Sequence, residues 1–199
     1  MRLATLQSGS RDGQLVAVSR DGSRFLAVGD AAPNLLAAVE DWDALGETMQ
    51  EIAHRLDSGE GETLDPSRCA APLPRSWQWL DGSAFSTHVP LPSMEHGIDF
   101  EGEFGVIVDH VPMGTSAADA MKHIRLIVQI NDWSLRAIAP VEMKTGFGWV
   151  QAKPACSMAP YAVTPDELGD AWQDGRVCLD LEIDWNGKRF GAANGREMD

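Results

Sequence analysis

The chain has 199 residues, enough for one medium domain or for a small domain joined to a larger one. At 44% hydrophobic residues it can bury a core, which argues against disorder. A net charge of -14 argues against a nucleic-acid surface, which needs a basic stripe, and against docking on anionic lipid.

The first stretch reads as a β-meander. Arg2 to Leu6, Gln14 to Ser19 and Phe25 to Val28 are short apolar runs, separated by the turn residues Ser8 to Gly13 and by Asp21-Gly22. Pro33 is placed in the first turn of a helix. Leu35, Leu36, Val39, Trp42, Leu45, Met49, Ile52 and Leu56 then recur at three- and four-residue spacing and make one apolar face, with Gly59 as its stop. Residues 1–68 are expected to form an N-terminal subdomain, and 69–199 the larger domain. Residues 58–74, rich in Gly, Pro and acid, read as the connection.

Pro72, Pro74, Pro90 and Pro92 keep the next segment extended or looped. Ile98 to Val108 is a clear strand, and Arg125 to Ile130 a second. Between them Ser116 and Asp119 form a capping-box arrangement over a short helix. Thr164-Pro165-Asp166-Glu167 opens another. Val177, Leu179, Leu181, Ile183 and Trp185 alternate with polar residues as a half-buried strand, and Asn186-Gly187 turns it back as a hairpin. The return arm from Lys188 is short and polar, and is not expected to cover the apolar face so made. No run approaches the ~20 apolar residues that span a bilayer. MRLATLQSGSRDG lacks the apolar stretch of a secretion signal, so a cytoplasmic protein is expected. Cys69, Cys156 and Cys178, odd in number and widely spaced, read as reduced fillers rather than disulfides or a zinc site.

The acids allow two readings. Glu101 and Glu103 are two apart in a strand and leave one face, with Phe104, Val106 and Val108 on the other. Like charges side by side repel unless water or a cation screens them, so the pair is either a solvated strand face or half of a metal site. Asp132 follows the 125–130 strand, where a loop presents functional groups. With it come Asn131, Ser134 and Arg136: an acid, an amide, a hydroxyl and a guanidinium within six residues, or an ordinary polar exit from a strand. Asp81 and His88 come from a separate loop, and Lys153 follows Gln151-Ala152.

Together these residues resemble the fumarylacetoacetate hydrolase family. Asp81 and His88 keep that family's spacing between a metal-binding Asp and a catalytic His. Asp99-Phe100-Glu101-Gly102-Glu103 matches its DFExE motif, Asn131-Asp132-Trp133-Ser134-Leu135-Arg136 its NDxSxR motif, and Phe147 to Pro154 its GF-and-K stretch. The resemblance runs over nearly the whole chain. It implies an α+β fold: a mixed β-roll preceded by the small meander-plus-helix subdomain. It implies one divalent metal, Mg²⁺ ahead of Ca²⁺ or Mn²⁺, on Asp81, Glu101, Glu103 and Asp132, which as hard oxygen ligands suit such ions. Arg136 and Lys153 would meet the negative charge of a small oxo-acid substrate, and His88 would activate water. The implied activity is carbon–carbon hydrolysis of a fumarylacetoacetate- or acylpyruvate-type β-diketo acid by a homodimer.

Where the family usually has several tens of residues, only Val89 to Gly97 separate His88 from Ile98. The resemblance therefore also implies that a lid segment and the closing C-terminal strands are missing. Two other functions stay open: decarboxylation or tautomerisation of an oxo-acid at the same site, and a non-catalytic shortened homologue.

Overall fold

The computed structural model describes residues 1–80 and 95–198. Its strands are β1 (Arg2–Leu6), β2 (Gln14–Val18), β3 (Arg24–Ala27), β4 (Glu62–Thr63), β5 (Ile98–Val108), β6 (Ile124–Leu135), β7 (Ser157–Met158), β8 (Tyr161–Val163), β9 (Trp172–Gln173), β10 (Arg176–Val177), β11 (Asp180–Trp185) and β12 (Lys188–Asn194). The α-helices are α1 (Leu35–Glu40), α2 (Gly46–Asp57), α3 (Ala117–Ala120) and α4 (Ala139–Met143). Contacts group the chain into two compact units. The first comprises residues 1–80, 106–128 and 159–175, and the second the remainder. The fold is α+β, with a large sheet and few helices. No helix among the described residues is long and apolar enough to cross a membrane.

In the first unit the strands follow the order β4-β3-β2-β1-β8-β6, with β6 taking part through its first half. The meander forms as expected, with Leu3 opposite Ala17 and Val18 opposite Phe25. Leu3, Leu15, Val16, Leu35 and Leu126 are fully buried, which removes their apolar area from water. The 58–74 stretch is more than a connection. Leu64 joins the cluster around Val16 and Phe25, and the buried Pro72 carbonyl accepts the Thr5 hydroxyl at 2.6 Å.

The single helix expected from residue 35 to 56 is broken. Asp41 takes a non-helical conformation (φ -138°, ψ 48°), a 3₁₀ turn covers Trp42–Leu45, and α2 starts afresh at Gly46. Aspartate is a weak helix former because its side chain competes for backbone hydrogen bonds. The α1 cap is Asn34, whose side chain accepts the Ala37 N–H, so Pro33 lies just before the helix. Gly59 ends α2 as expected. At φ +91° it lets the Glu60 N–H reach the Arg55 carbonyl and its own N–H the Leu56 carbonyl.

The β2–β3 turn carries a titration signature. The Ser19 hydroxyl, then the Ser23 amide and hydroxyl, donate to Asp21 and hold its carboxyl at about 2. The folded value is depressed, so this contribution is complete above the ordinary carboxylate range and is lost as pH falls through about 2. The melting-temperature gap between the native chain and Asp21→Ala should therefore be constant near neutrality and narrow as pH is lowered from 4 towards 2. A gap that ignores pH over that window would contradict the assignment.

In the second unit, β11 and β12 form the expected hairpin. Asn186 and Gly187 both take positive φ, 50° and 74°, as a tight two-residue turn requires. The hairpin does cover part of its apolar face. Phe190 packs edge-on against Phe100 at 5.3 Å and against Trp185 at 5.8 Å, and Leu181 and Ile183 lie over Gly102 of β5. Val106 and Val108, expected to point into the core, are 49% and 40% exposed, while Ile107 between them is buried. The burial phase of β5 thus puts its odd-numbered residues inward at this end. Ser116 accepts the Asp119 N–H and donates to its carboxylate, as the capping pattern implied. Thr164 caps nothing with its side chain; its hydroxyl accepts the Met1 ammonium at 2.6 Å. The three cysteines are unpaired and half-buried.

Candidate acidic site

Three carboxylates meet in the second unit. One oxygen each from Glu101, Glu103 and Asp132 lies within 4.8 Å of the others. Alternation along β5 puts Glu101 and Glu103 on one face, together with Asp99. Asp132 comes from the neighbouring β6. It was expected beyond the end of that strand, but β6 runs on to Leu135, so Asp132 and Ser134 both lie within the strand and are buried. Polar side chains that face a site rather than solvent gave this half of the strand the look of a loop.

The acids are tied by two cations. Lys153 Nζ reaches Asp132 Oδ2 at 2.6 Å and Glu101 Oε2 at 2.9 Å. It is only 19% exposed, so it is no plain surface lysine. Burial alone would pull its pKa down, but the bonds to Asp132 and Glu101 outweigh burial and leave it above the ordinary value. Arg136 Nη2 donates to Glu101 Oε1 at 2.5 Å and its Nε to Asp99 Oδ2 at 2.8 Å. Ser134 donates to the same Glu101 oxygen at 2.7 Å. Burial raises Glu101, yet Lys153, Ser134 and Arg136 together hold it below the usual carboxylate range. Glu101 is therefore ionised at neutral pH. Burial, then the charges of Asp132 and Glu103, push the nearby Cys156 thiol up, which argues against a thiolate role.

This donor set suits a hard divalent cation. Oxygens on opposite sides of an ion stand about 4.2 Å apart for Mg²⁺ and about 4.6–5.2 Å for Ca²⁺. Three carboxylate oxygens within 4.8 Å of one another are near enough to share one such ion. All donors are carboxylate oxygens, which disfavours zinc.

Of the seven residues singled out from sequence, the structure brings together Glu101, Glu103, Asp132, Arg136 and Lys153. Asp81 and His88 lie outside the described residues. Two contributors stood in the quoted motifs without an assigned role. Asp99, buried and joined to Arg136, shares the parity of Glu101 and Glu103, and that parity was a usable signal. Ser134 sits two residues from Asp132 on the same face.

Residues 47–198 match the family described as Fumarylacetoacetate (FAA) hydrolase C-terminal. The chain belongs to the fumarylacetoacetate hydrolase family. Residues 1–75 also match Fumarylacetoacetase N-terminal domain 2. A 2,4-didehydro-3-deoxy-L-rhamnonate hydrolase of Sphingomonas sp. (strain SKA58) is 32% identical over 113 residues, which is 55% of this chain and 37% of that protein. The match thus spans little more than a third of that curated relative. Two solved family folds align over the whole chain. Maleylpyruvate hydrolase from Sphingobium sp. SYK-6 gives a TM-score of 0.67 at 15% identity, with 79% of its chain covered. Fumarylacetoacetate hydrolase from Exiguobacterium antarcticum gives 0.61 at 18%, with 76% covered. At such identities the likeness speaks for the fold of this fumarylacetoacetate hydrolase relative.

Proposed function

We propose that the chain is a metal-dependent hydrolase that cleaves a carbon–carbon bond in a β-diketo acid of the acylpyruvate class. The observation that supports this most is the convergence of Glu101, Glu103 and Asp132 beside the ammonium of Lys153. These three acids would hold Mg²⁺ together with Asp81, the fourth ligand implied by family resemblance. When bound, the ion supplies Lewis-acid polarisation of the substrate's oxygens.

The chain's own residues do the rest. Lys153, charged and adjacent to the acids, meets the carboxylate or the negative charge that grows on the departing fragment. Arg136 fixes Glu101 from one side while Ser134 fixes the same oxygen from another, so this acid cannot swing away. His88 is assigned the general base that takes a proton from water as it adds to the carbonyl carbon. The carbon–carbon bond then breaks, and its electron pair leaves on the α-carbon, which is protonated afterwards.

The full chain incubated with acetylpyruvate and Mg²⁺ should form pyruvate and acetate. Product should vanish with a chelator and in His88→Ala. No pyruvate with Mg²⁺, Mn²⁺ or Ca²⁺ would overturn the reading and favour a non-catalytic relative. Decarboxylation or tautomerisation of an oxo-acid such as oxaloacetate, retained in His88→Ala, would favour the alternatives that need no water-activating base.

A further inference from the structure

We propose that Glu142 is a positioning residue for Lys153, acting through the backbone of the turn that precedes it. The role rests on the reading that Lys153 belongs to the acidic site. Glu142 lies on α4, where its N–H is held by the Ile138 carbonyl. Its carboxylate accepts three successive backbone N–H groups: Val150 at 2.9 Å, Gln151 at 2.9 Å and Ala152 at 3.0 Å. Three converging amides make a small anion cradle, and here a side chain of the same segment fills it. Those three donors also hold the Glu142 carboxyl below its ordinary range, so the clasp is charged at neutral pH.

The clasp closes a compact surface loop. At its start the Thr145 N–H and hydroxyl both return to the Glu142 carbonyl, at 3.0 and 2.7 Å. At its tip Phe147 and Val150 are exposed, and Gly146 and Gly148 take positive φ. The Trp149 ring of the same tip stands 5.7 Å from the Lys153 ammonium, so the polar closure at the loop's base also sets where that ring lies. The other side of the turn is anchored too: the carbonyl of buried Ala152 accepts the Leu135 N–H at 2.8 Å, at the end of β6. Lys153 is the next residue. Its long stem has many rotamers, and holding the ammonium on two carboxylates requires its backbone to start from one place. Glu142 and Leu135 together set that place.

The test reads Lys153 directly. The full-length native chain, Glu142→Ala and Glu142→Gln are acetylated with an amine-reactive ester at one pH, and each lysine is quantified by peptide mass spectrometry. In the native chain Lys153 should react far more slowly than Lys122, which is 75% exposed. In Glu142→Ala the Lys153 rate should rise about ten-fold, the change expected when charge-assisted bonds that hold a group are lost. Lys122, Lys144 and Lys188 should stay at native rates. Glu142→Gln keeps one acceptor oxygen and should fall between. A native Lys153 rate in folded Glu142→Ala overturns the proposal, as does an equal rise at all four lysines. Should the alanine variant fail to fold, a native rate in Glu142→Gln overturns it instead. The readout involves neither metal nor turnover, so it stands even for a chain that leaves acetylpyruvate intact. Where turnover is found, Glu142→Ala should lower kcat/KM and Glu142→Gln should restore part of it.

Discussion

Exchange of Asp132 for Asn should weaken Mg²⁺ binding at least about a hundred-fold and lower kcat/KM on the order of a thousand-fold. The substitution keeps shape and removes one negative charge from a group of three. Asp132 is 5% exposed, so water cannot replace the lost oxygen as it would at a surface. Its loss also leaves Lys153 with only Glu101 of the two carboxylates it bridges, which pulls that acid further towards the ammonium. Metal binding is read by calorimetric titration of the purified chain, turnover by pyruvate release. An affinity within about two-fold of the native chain would mean that the three acids do not share an ion.

Arg136→Met should destabilise the fold by about 2–3 kcal/mol, less than the ~3–5 kcal/mol of a fully buried pair because Arg136 is itself 35% exposed. The loss arises at Asp99, which is 5% exposed at its side chain and, among the described residues, would keep only the backbone N–H of Phe100. For a chain of this size the melting temperature should drop by roughly 5–10 °C. Arg136→Lys should recover little, since an ammonium cannot span Asp99 and Glu101 as the planar guanidinium does. A methionine variant that melts with the native chain would show that this bridge between β5 and β6 is idle.

Periodicity made much of this fold legible. The meander, β5 and the β11–β12 hairpin follow from alternation and from Asp21-Gly22 and Asn186-Gly187 turn chemistry. It failed where side chains serve something other than solvent or core. The second half of β6 reads as a loop because Asp132 and Ser134 are polar, yet they are buried against partners that only the fold supplies. The break at Asp41 was hidden by an apolar spacing that continues across it. The full set of acids and Lys153 came from family motifs; spacing alone left Glu101 and Glu103 open between a solvated strand face and half of a metal site. Glu142 had no signal of any kind, because a carboxylate that accepts backbone N–H groups demands no particular residues from its partners.

Gly102 stands between the two glutamates of β5 and turns its bare side to the hairpin. A methyl group there would come within 2.9 Å of the Ile183 side chain. A substituent at this point would oblige the Ile183 side chain to shift. The strand that carries Glu101 and Glu103 is thus backed directly by aliphatic side chains of the hairpin. A change of one methylene at Ile183 should register as a lower melting temperature, because it opens a gap against the bare backbone of Gly102.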